Sequence, residues 1–352
     1  MAKGVVQNKM NGWLQKQWTS YTLWHLLLIP LSWIFGAIVY ARASLYRIGW
    51  LKSVRLSVPV IVVGNINVGG TGKTPLVIWL AEQLQREGFK PGIISRGYGG
   101  RVEQVTEVFA NSNPAEVGDE PVLIVKRTGC TMFVGSDRVA AGQALLQAHP
   151  QCDVIVSDDG LQHYRLQRDM EIALINTNSL QAGNLCLLPA GPLREKITRL
   201  ESVDAIIDSG NAIVSNEYFK EALQSTVFNM ILQGDMFESV DGRKIRQPAS
   251  YFADKSLVAI AGIGNPERFF NQLAMLGLQF EEKTYLDHYA YSAQDLAEFA
   301  NQTLLMTEKD AVKCQKFTTN DAWYLPVTAT VNNSAQTSLI ALVLKKLKSK
   351  IN

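Results

Sequence analysis

The segment NVGGTGKT, Asn67 to Thr74, carries the most specific chemistry in the chain. Gly69, Gly70 and Gly72 let a backbone curl until its N–H groups converge on phosphate oxygens. Lys73 reaches the β- and γ-phosphates of a nucleotide, Thr74 offers a hydroxyl to Mg²⁺, and a helix starting here adds the positive end of its dipole. Val68 and Thr71 complete the loop. The formal motif asks for glycine where Asn67 stands, but asparagine tolerates left-handed backbone angles better than most residues, so the departure is mild. The reading is a nucleoside triphosphate site. A chance G-K-T is disfavoured by the apolar run VPVIVVG before it and the helical pattern PLVIWLAEQLQREG after it.

A second acidic element fits the first. The apolar run VIVSDDG ends in Asp158 and Asp159, and in enzymes with this loop an acid at a strand's C-terminal end holds the Mg²⁺ that bridges the phosphates. Adjacent carboxylates leave a strand on opposite faces, so one meets the metal, directly or through water, and the other orients a neighbour. Other candidates carry little alone. Asp119 and Glu120 lie in VGDEP, a turn by composition, and His288 lies in LDHYAYS. GIGNPE has G-x-G after a strand but lacks the third glycine and the downstream acid, so it reads as close helix packing. TEKD, Thr307 to Asp310, is not the N-K-x-D that recognises guanine, which disfavours a GTPase.

The elements that must position these residues are legible in outline. Short runs rich in Val and Ile, among them KPGIIS, CDVIVSDDG, MEIALINT and VDAIIDS, alternate with helical patterns. Such runs without polar alternation suit a parallel sheet covered on both faces, hence a doubly wound α/β fold. VFNMILQGDMFESVDGRK predicts a β-hairpin with Asp241-Gly242 at its turn, serving as a linker. A further strand–loop–helix unit follows, KSLVAIAGIGNPERFFNQLAMLG. The expected organisation is a helical segment over residues 1–55, a core domain over 56–228, and a linker with a smaller α/β domain over 229–352.

At 352 residues, 47% hydrophobic and 19% charged, the chain can bury a sizeable core, and a net charge of +2 gives no argument for nucleic acid. Cys130, Cys152, Cys186 and Cys314 are scattered, which predicts buried thiols in a reducing compartment and neither disulfides nor a zinc site. The distribution of charge says more. No Asp or Glu precedes Glu82, while Lys3, Lys9, Lys16, Arg42, Arg47, Lys52 and Arg55 crowd the first fifty-five residues with five of the seven tryptophans. Between them runs LWHLLLIPLSWIFGAIVYA, Leu23 to Ala41. Tryptophans and cations flanking an apolar helix favour the headgroup layer of a membrane. A signal peptide is disfavoured by the length of the run, and a spanning helix by cations at both ends and by His25 and Pro30 within it. Thr22, His25, Ser32, Gly36, Ala43 and Arg47 recur at helical spacing and form a smaller, more polar stripe to face the protein body. A helix lying in the interface is the favoured reading over a buried core helix. The basic end LKKLKSKIN reads as a solvated helix end or a minor addition to membrane attachment.

Taken together, VGGTGKTP, SRGYGG, VGDEP, SDDGLQHY, LPAGPLRE, LDHYAYS and MTEKDAVK, in this order across most of the chain, resemble the tetraacyldisaccharide 4′-kinase family, the lipid A 4′-kinases of Gram-negative bacteria. The resemblance implies two α/β/α domains flanking a cleft and joined by a β-ribbon, with an N-terminal helix on the cytoplasmic face of the inner membrane. It implies ATP and Mg²⁺ as cofactors, and transfer of the γ-phosphate to the 4′-hydroxyl of a membrane-held tetraacyldisaccharide 1-phosphate, with no obligate protein partner. By the same analogy Asp119 and His288 form a dyad that takes the hydroxyl proton, working with Lys73. Asp158 and Asp159, with Glu120, belong to the metal site beside Thr74. Arg96 and His163 line the cleft, and Arg194 holds the substrate's 1-phosphate. The rival function is a membrane-associated ATPase that switches a protein partner, for which ATP consumption would depend on a protein and not on an acylated disaccharide. A non-enzymatic scaffold with a relic loop would leave Lys73 and Asp158 dispensable.

Overall fold

The computed structural model describes residue 18 and residues 22–182, 184–210, 226–317, 321–332 and 338–351. Two sheets organise them. The first has nine strands in the order β15-β8-β7-β6-β1-β5-β2-β4-β3. Its members are β1 (Val60–Gly64), β2 (Pro91–Ser95), β3 (Thr106–Val108), β4 (Met132–Val134), β5 (Val154–Asp158), β6 (Met170–Ile175), β7 (Ala205–Asp208), β8 (Thr226–Gln233) and β15 (Thr328–Asn332). All neighbours are parallel except the outer pairs, β3 with β4 and β15 with β8. The central strands are buried at every residue, the two-faced burial that unbroken Val/Ile runs anticipate. One face carries the helix Lys73–Arg86, which buries Leu76, Val77, Leu80, Ala81 and Leu84. The other packs on Leu56, Val139 and Leu145.

β1 sits between β5 and β6, with Val63 opposite Asp158 in the register. Chain connections diverge from β1 to either side, and the crevice at the strands' carboxyl ends is where such sheets bind ligands. The phosphate loop and the Asp158 carboxylate therefore emerge side by side.

The second sheet has six strands, β10-β9-β14-β13-β11-β12. They are β9 (Met236–Ser239), β10 (Arg246–Pro248), β11 (Leu257–Ala261), β12 (Glu281–Thr284), β13 (Thr303–Thr307) and β14 (Ala322–Leu325). Its core is built on Phe237, Phe252, Phe269, Phe270 and Trp323 on one face and Val258, Ile260, Leu304 and Met306 on the other.

Three features differ from the sequence expectation. The hairpin around Asp241-Gly242 is β9 with β10, whereas β8 runs parallel to β7 in the first sheet. An expected boundary at 228/229 thus falls inside β8. The chain crosses between sheets twice, at Gly234-Asp235 and at Pro326-Val327, and a Cβ on Gly234 would lie 2.2 Å from the Pro326 carbonyl oxygen. Only glycine lets the two crossings touch. The C-terminal helix Leu339–Ile351 is more than a solvated end: Leu339, Val343 and Leu347 are buried in the first sheet's core, while Lys345, Lys348 and Ser349 are exposed. Among the cysteines, Cys130, Cys152 and Cys314 are buried and Cys186 is half-buried, all free.

The helix His25–Arg47 lies against the protein along one side only. His25, Leu28 and Ser32 are its buried residues. Ser32 Oγ donates to the Leu187 carbonyl at 2.8 Å and accepts from the Ala190 N–H at 3.0 Å, and His25 Nε2 lies 3.2 Å from the Ala190 carbonyl. A Cβ on Gly36 would meet Leu187 Cδ1 at 2.7 Å. Of the expected stripe, His25, Ser32 and Gly36 make this contact, Ala43 is half-buried, and Thr22 and Arg47 are exposed. The remaining faces expose Leu26, Leu27, Leu31, Trp33, Ile34 and Ile38. That exposure rules out a buried core helix. The helix is long and apolar enough to cross a membrane.

Candidate active site

The phosphate loop runs from β1 into the helix Lys73–Arg86, whose N-cap Gly72 has φ +100°. Asn67 takes no left-handed angle: among the described residues, only Asp159, Lys244 and His288 do so without being glycine. Asn67 instead forms an antiparallel bridge with Leu193, and the Val68 N–H donates to the Pro192 carbonyl at 2.8 Å. The loop's first residue is held extended by the GPLRE segment, so glycine's freedom is not needed there. Lys73 Nζ donates to Asn65 Oδ1 at 3.2 Å and lies 3.5 Å from Asp159 Oδ1.

Asp158 and Asp159 separate as strand geometry demands. Asp158 is 1% exposed, and its Oδ2 accepts from Ser95 Oγ at 3.0 Å while its Oδ1 has no partner. Burial, then the charges of Glu120 and Asp159, push its carboxyl up to about 6. Asp159 turns away with φ +48° and accepts twice from Arg194 Nη1, both at 3.1 Å. Burial opposes ionisation of Asp159, but Lys73 and Arg194 outweigh it and hold the carboxyl below its usual range. Arg194 is thus a partner of Asp159 in this structure.

Crowded carboxylates with an orphaned buried oxygen fit a divalent cation. Among the described residues no three His, Cys, Asp or Glu side chains converge to hold a metal alone. That suits Mg²⁺, which is bound by one or two protein oxygens together with substrate phosphates. Asp158 and Thr74 are the members of the expected set not taken up in ion pairs, since Glu120 is paired with Lys309 and Asp159 with Arg194 and Lys73.

Asp119 opens the helix Asp119–Thr128, and His288 follows β12 in the second unit; they are 169 residues apart and in contact. His288 Nδ1 lies 2.9 Å from Asp119 Oδ1 and 3.1 Å from Oδ2. The ring is fixed from several sides. The His288 N–H donates to the Gly262 carbonyl at 3.1 Å, Tyr98 packs edge-on at 5.1 Å, and Asp287 lies 3.7 Å from Nε2. A Cβ on Gly99 would sit 2.9 Å from Nδ1, so the SRGYGG turn leaves space for the imidazole. Burial would raise the Asp119 carboxyl, but the His288 hydrogen bond and the charges of Lys309, His288 and Lys313 hold it at about 2. Burial would lower His288, and Asp119 overrides it to raise the imidazole above its ordinary value.

Arg96 follows β2 and is exposed. His163 Nε2 is buried 3.8 Å from Asp137 without a hydrogen bond, and burial with the Arg138 charge presses the ring down to about 4, leaving it neutral near pH 7. Sequence reasoning missed Arg138. It is buried, donates to the Gly135 carbonyl at 3.1 Å, and its charge faces Asp158 and Asp159. No motif marks it; the signal available was an arginine opening a helix directly after β4.

Second-unit residues close over the loop. A cavity of about 170 Å³ is bounded by Gly69 to Pro75 on one side and by Gly264, Asn265, Arg268 and Lys309 on the other. A larger cleft of about 1890 Å³ opens between the sheets beside β8, but includes none of Lys73, Asp119, Asp158 or His288. The smaller space holds the phosphate loop with Lys73 and Thr74, and Glu120, the chain neighbour of Asp119. Arg127 bridges the halves through Glu308 at 2.9 and 3.0 Å, and Lys126 through Gln315 at 2.6 Å.

A phosphate loop with its strand-end acid, and a carboxylate–imidazole pair presented from across a cleft, define a P-loop phosphotransferase. The family model for tetraacyldisaccharide-1-P 4′-kinase matches residues 24–348. The tetraacyldisaccharide 4′-kinase of Methylobacillus flagellatus is 45% identical over 96% of this chain and 98% of its own. That of an Azoarcus species is 51% identical over 88% and 89%. A crystal structure of LpxK from Aquifex aeolicus in complex with ATP superposes with a TM-score of 0.77 at 29% identity, covering 90% of this chain and 98% of that one. The chain belongs to the tetraacyldisaccharide 4′-kinase family.

Proposed function

We infer that this protein is an ATP-dependent lipid kinase that phosphorylates the 4′-hydroxyl of a tetraacyldisaccharide 1-phosphate, the step that forms lipid IV-A in lipid A biosynthesis. The observation that carries the reading is the Asp119–His288 contact, which joins a carboxylate and an imidazole from two distant segments; Asp287, next in the chain, lies against Gly264, which itself abuts Gly70 of the phosphate loop. A sugar hydroxyl is a poor nucleophile at neutral pH, so transfer needs a proton acceptor as well as stabilised phosphate charge. His288 orients Asp119 and shares the proton load, while Lys73 and the loop N–H groups hold the triphosphate. Thr74 and Asp158 would hold Mg²⁺, which when bound neutralises charge on the β- and γ-phosphates. Asp159 keeps Lys73 and Arg194 in place. Arg96, His163 and Arg138 supply polar and cationic groups beside the acids for the sugar and its phosphate.

The acceptor lipid stays in its bilayer, so the enzyme must come to it. Docking of His25, Ser32 and Gly36 along three helical turns supports a helix lying in the cytoplasmic leaflet of the inner membrane rather than spanning it, because a spanning helix would have to leave that contact. Exposed Trp33 and Trp50 suit the headgroup layer, and Leu185 extends the apolar surface. The test is the dependence of ATP turnover on the acceptor. Hydrolysis or transfer that requires the acylated disaccharide 1-phosphate supports the reading; turnover stimulated only by a protein fraction overturns it.

A further inference from the structure

The GIGNPE turn does more than pack a helix. A Cβ on Gly70 of the phosphate loop would stand 3.6 Å from the Asn265 backbone nitrogen, and a Cβ on Gly264 would stand 3.4 Å from the Gly70 nitrogen. The second unit therefore seats its own strand–helix turn directly on the loop. Asn265 caps the helix Pro266–Met275 by accepting the Arg268 N–H at 3.2 Å, which fixes where Arg268 starts. The side chain reaches back to the loop, and its Nη1 is 3.9 Å from where a Cβ on Gly72 would stand.

Among the described residues, the half-buried Arg268 guanidinium has no hydrogen bond and no ion pair. Other cations here are paired, Lys73 and Arg194 with Asp159, Lys309 with Glu120, Lys313 with Asp310 and Arg127 with Glu308, while buried Arg138 faces the charges of Asp158 and Asp159 and Arg96 is exposed to solvent. Burial without a compensating charge weakens Arg268's hold on its proton, though a guanidinium stays ionised. A desolvated, unbalanced cation at the mouth of a phosphate loop is completed by an anion, and the loop is built for one.

We propose that Arg268 is a nucleotide ligand, a guanidinium that the second unit delivers to the polyphosphate of ATP bound on the Gly69–Thr74 loop. A planar guanidinium gives two parallel N–H donors to neighbouring phosphate oxygens, which a lysine does not. The assignment rests on the phosphate-loop reading and adds to it a contact from the far side of the cleft. It also explains why the turn approaches Gly70 so closely, since a retreat of the second unit would carry the guanidinium away.

The test uses the full chain in detergent, with Mg²⁺ present. ATP and ADP affinities are measured by calorimetry, and adenosine by displacement of a fluorescent ADP analogue, for the wild type, Arg268→Met, Arg268→Lys and Lys73→Met. Arg268→Met weakens ATP and ADP about tenfold or more and leaves adenosine unchanged, as loss of a charge-assisted contact requires. Should Arg268→Met fail to fold, Arg268→Lys carries the test, with ATP and ADP weakened about threefold and adenosine again unchanged. An equal loss for adenosine would place the guanidinium on the base and overturn the proposal, as would unchanged ATP affinity in either variant. Failure of the phosphate-loop reading itself looks different: Lys73→Met would then bind ATP as the wild type does.

Discussion

The Asp119–His288 pair makes a quantitative demand on kinetics. A positioned general base contributes about 10²–10⁴-fold. Phosphoryl transfer draws most of its acceleration from charge stabilisation, so the lower end applies here. Alanine at either position should therefore lower kcat about 10²-fold, some 2.7 kcal/mol of barrier. The hydrogen bond is 2.9 Å and both side chains are largely shielded from water, so neither residue keeps its function without the other. The double variant should then be little worse than the worse single one, near 10² and not 10⁴. The KM for ATP should hardly move, because the proposed nucleotide contacts, Lys73 and the loop glycines, do not include the pair. The pair also sets a pH dependence. With Asp119 held at about 2 and His288 raised above 6.5, the resting pair below the imidazole pKa is carboxylate with imidazolium, which has no strong acceptor site. Deprotonation of His288 restores one, so kcat should climb with pH through a midpoint above 6.5. The assay is single-turnover transfer of labelled phosphate from ATP to the acylated disaccharide. Fully multiplicative losses would show two independent residues and refute the dyad.

Three further outcomes are expected. Lys73→Ala should fold with an unchanged circular dichroism spectrum yet lose most activity; near-normal turnover in the folded variant would refute the nucleotide assignment. Gly99→Ala places a methyl 2.9 Å from His288 Nδ1 at φ +84°, so kcat should drop at least tenfold with ATP affinity kept, and an unaffected kcat would mean that the imidazole does not need this space. Removing residues before Arg47 should release the protein from vesicles in a sedimentation assay and raise the KM for the lipid more than for ATP; undiminished sedimentation of a soluble truncation would place the anchor elsewhere.

What the sequence made legible follows from how local each signal is. β1, the phosphate loop and the following helix occupy consecutive residues, and the unbroken apolar runs of β5, β6 and β7 announce a sheet buried on both faces. The stripe of His25, Ser32 and Gly36 was visible from spacing because a docked helix face repeats every turn. Non-local pairings were not visible. Nothing in the composition of β8 says that it joins β7 rather than β9, since both arrangements satisfy the same apolar alternation. The amphipathic pattern of Leu339, Val343 and Leu347 requires a partner surface without naming the P-loop domain as that surface. At the site, Asp119 and His288 entered only through the resemblance, because a turn aspartate and a loop histidine carry no local signature. The setting of Asn67 depends on its bridge to Leu193, far along the chain, which no local pattern announces. Arg138 and Arg268 are single cations whose meaning lies in what they face.

The central claim is tested most directly by the product. Purified protein is incubated with ATP, Mg²⁺ and tetraacyldisaccharide 1-phosphate, and the lipid is analysed by mass spectrometry and ³¹P–¹H correlation NMR. One added phosphate correlated with the 4′-proton of the distal glucosamine, absent with Lys73→Ala, is the result expected. An unchanged lipid, or a phosphate on any other hydroxyl, would contradict it.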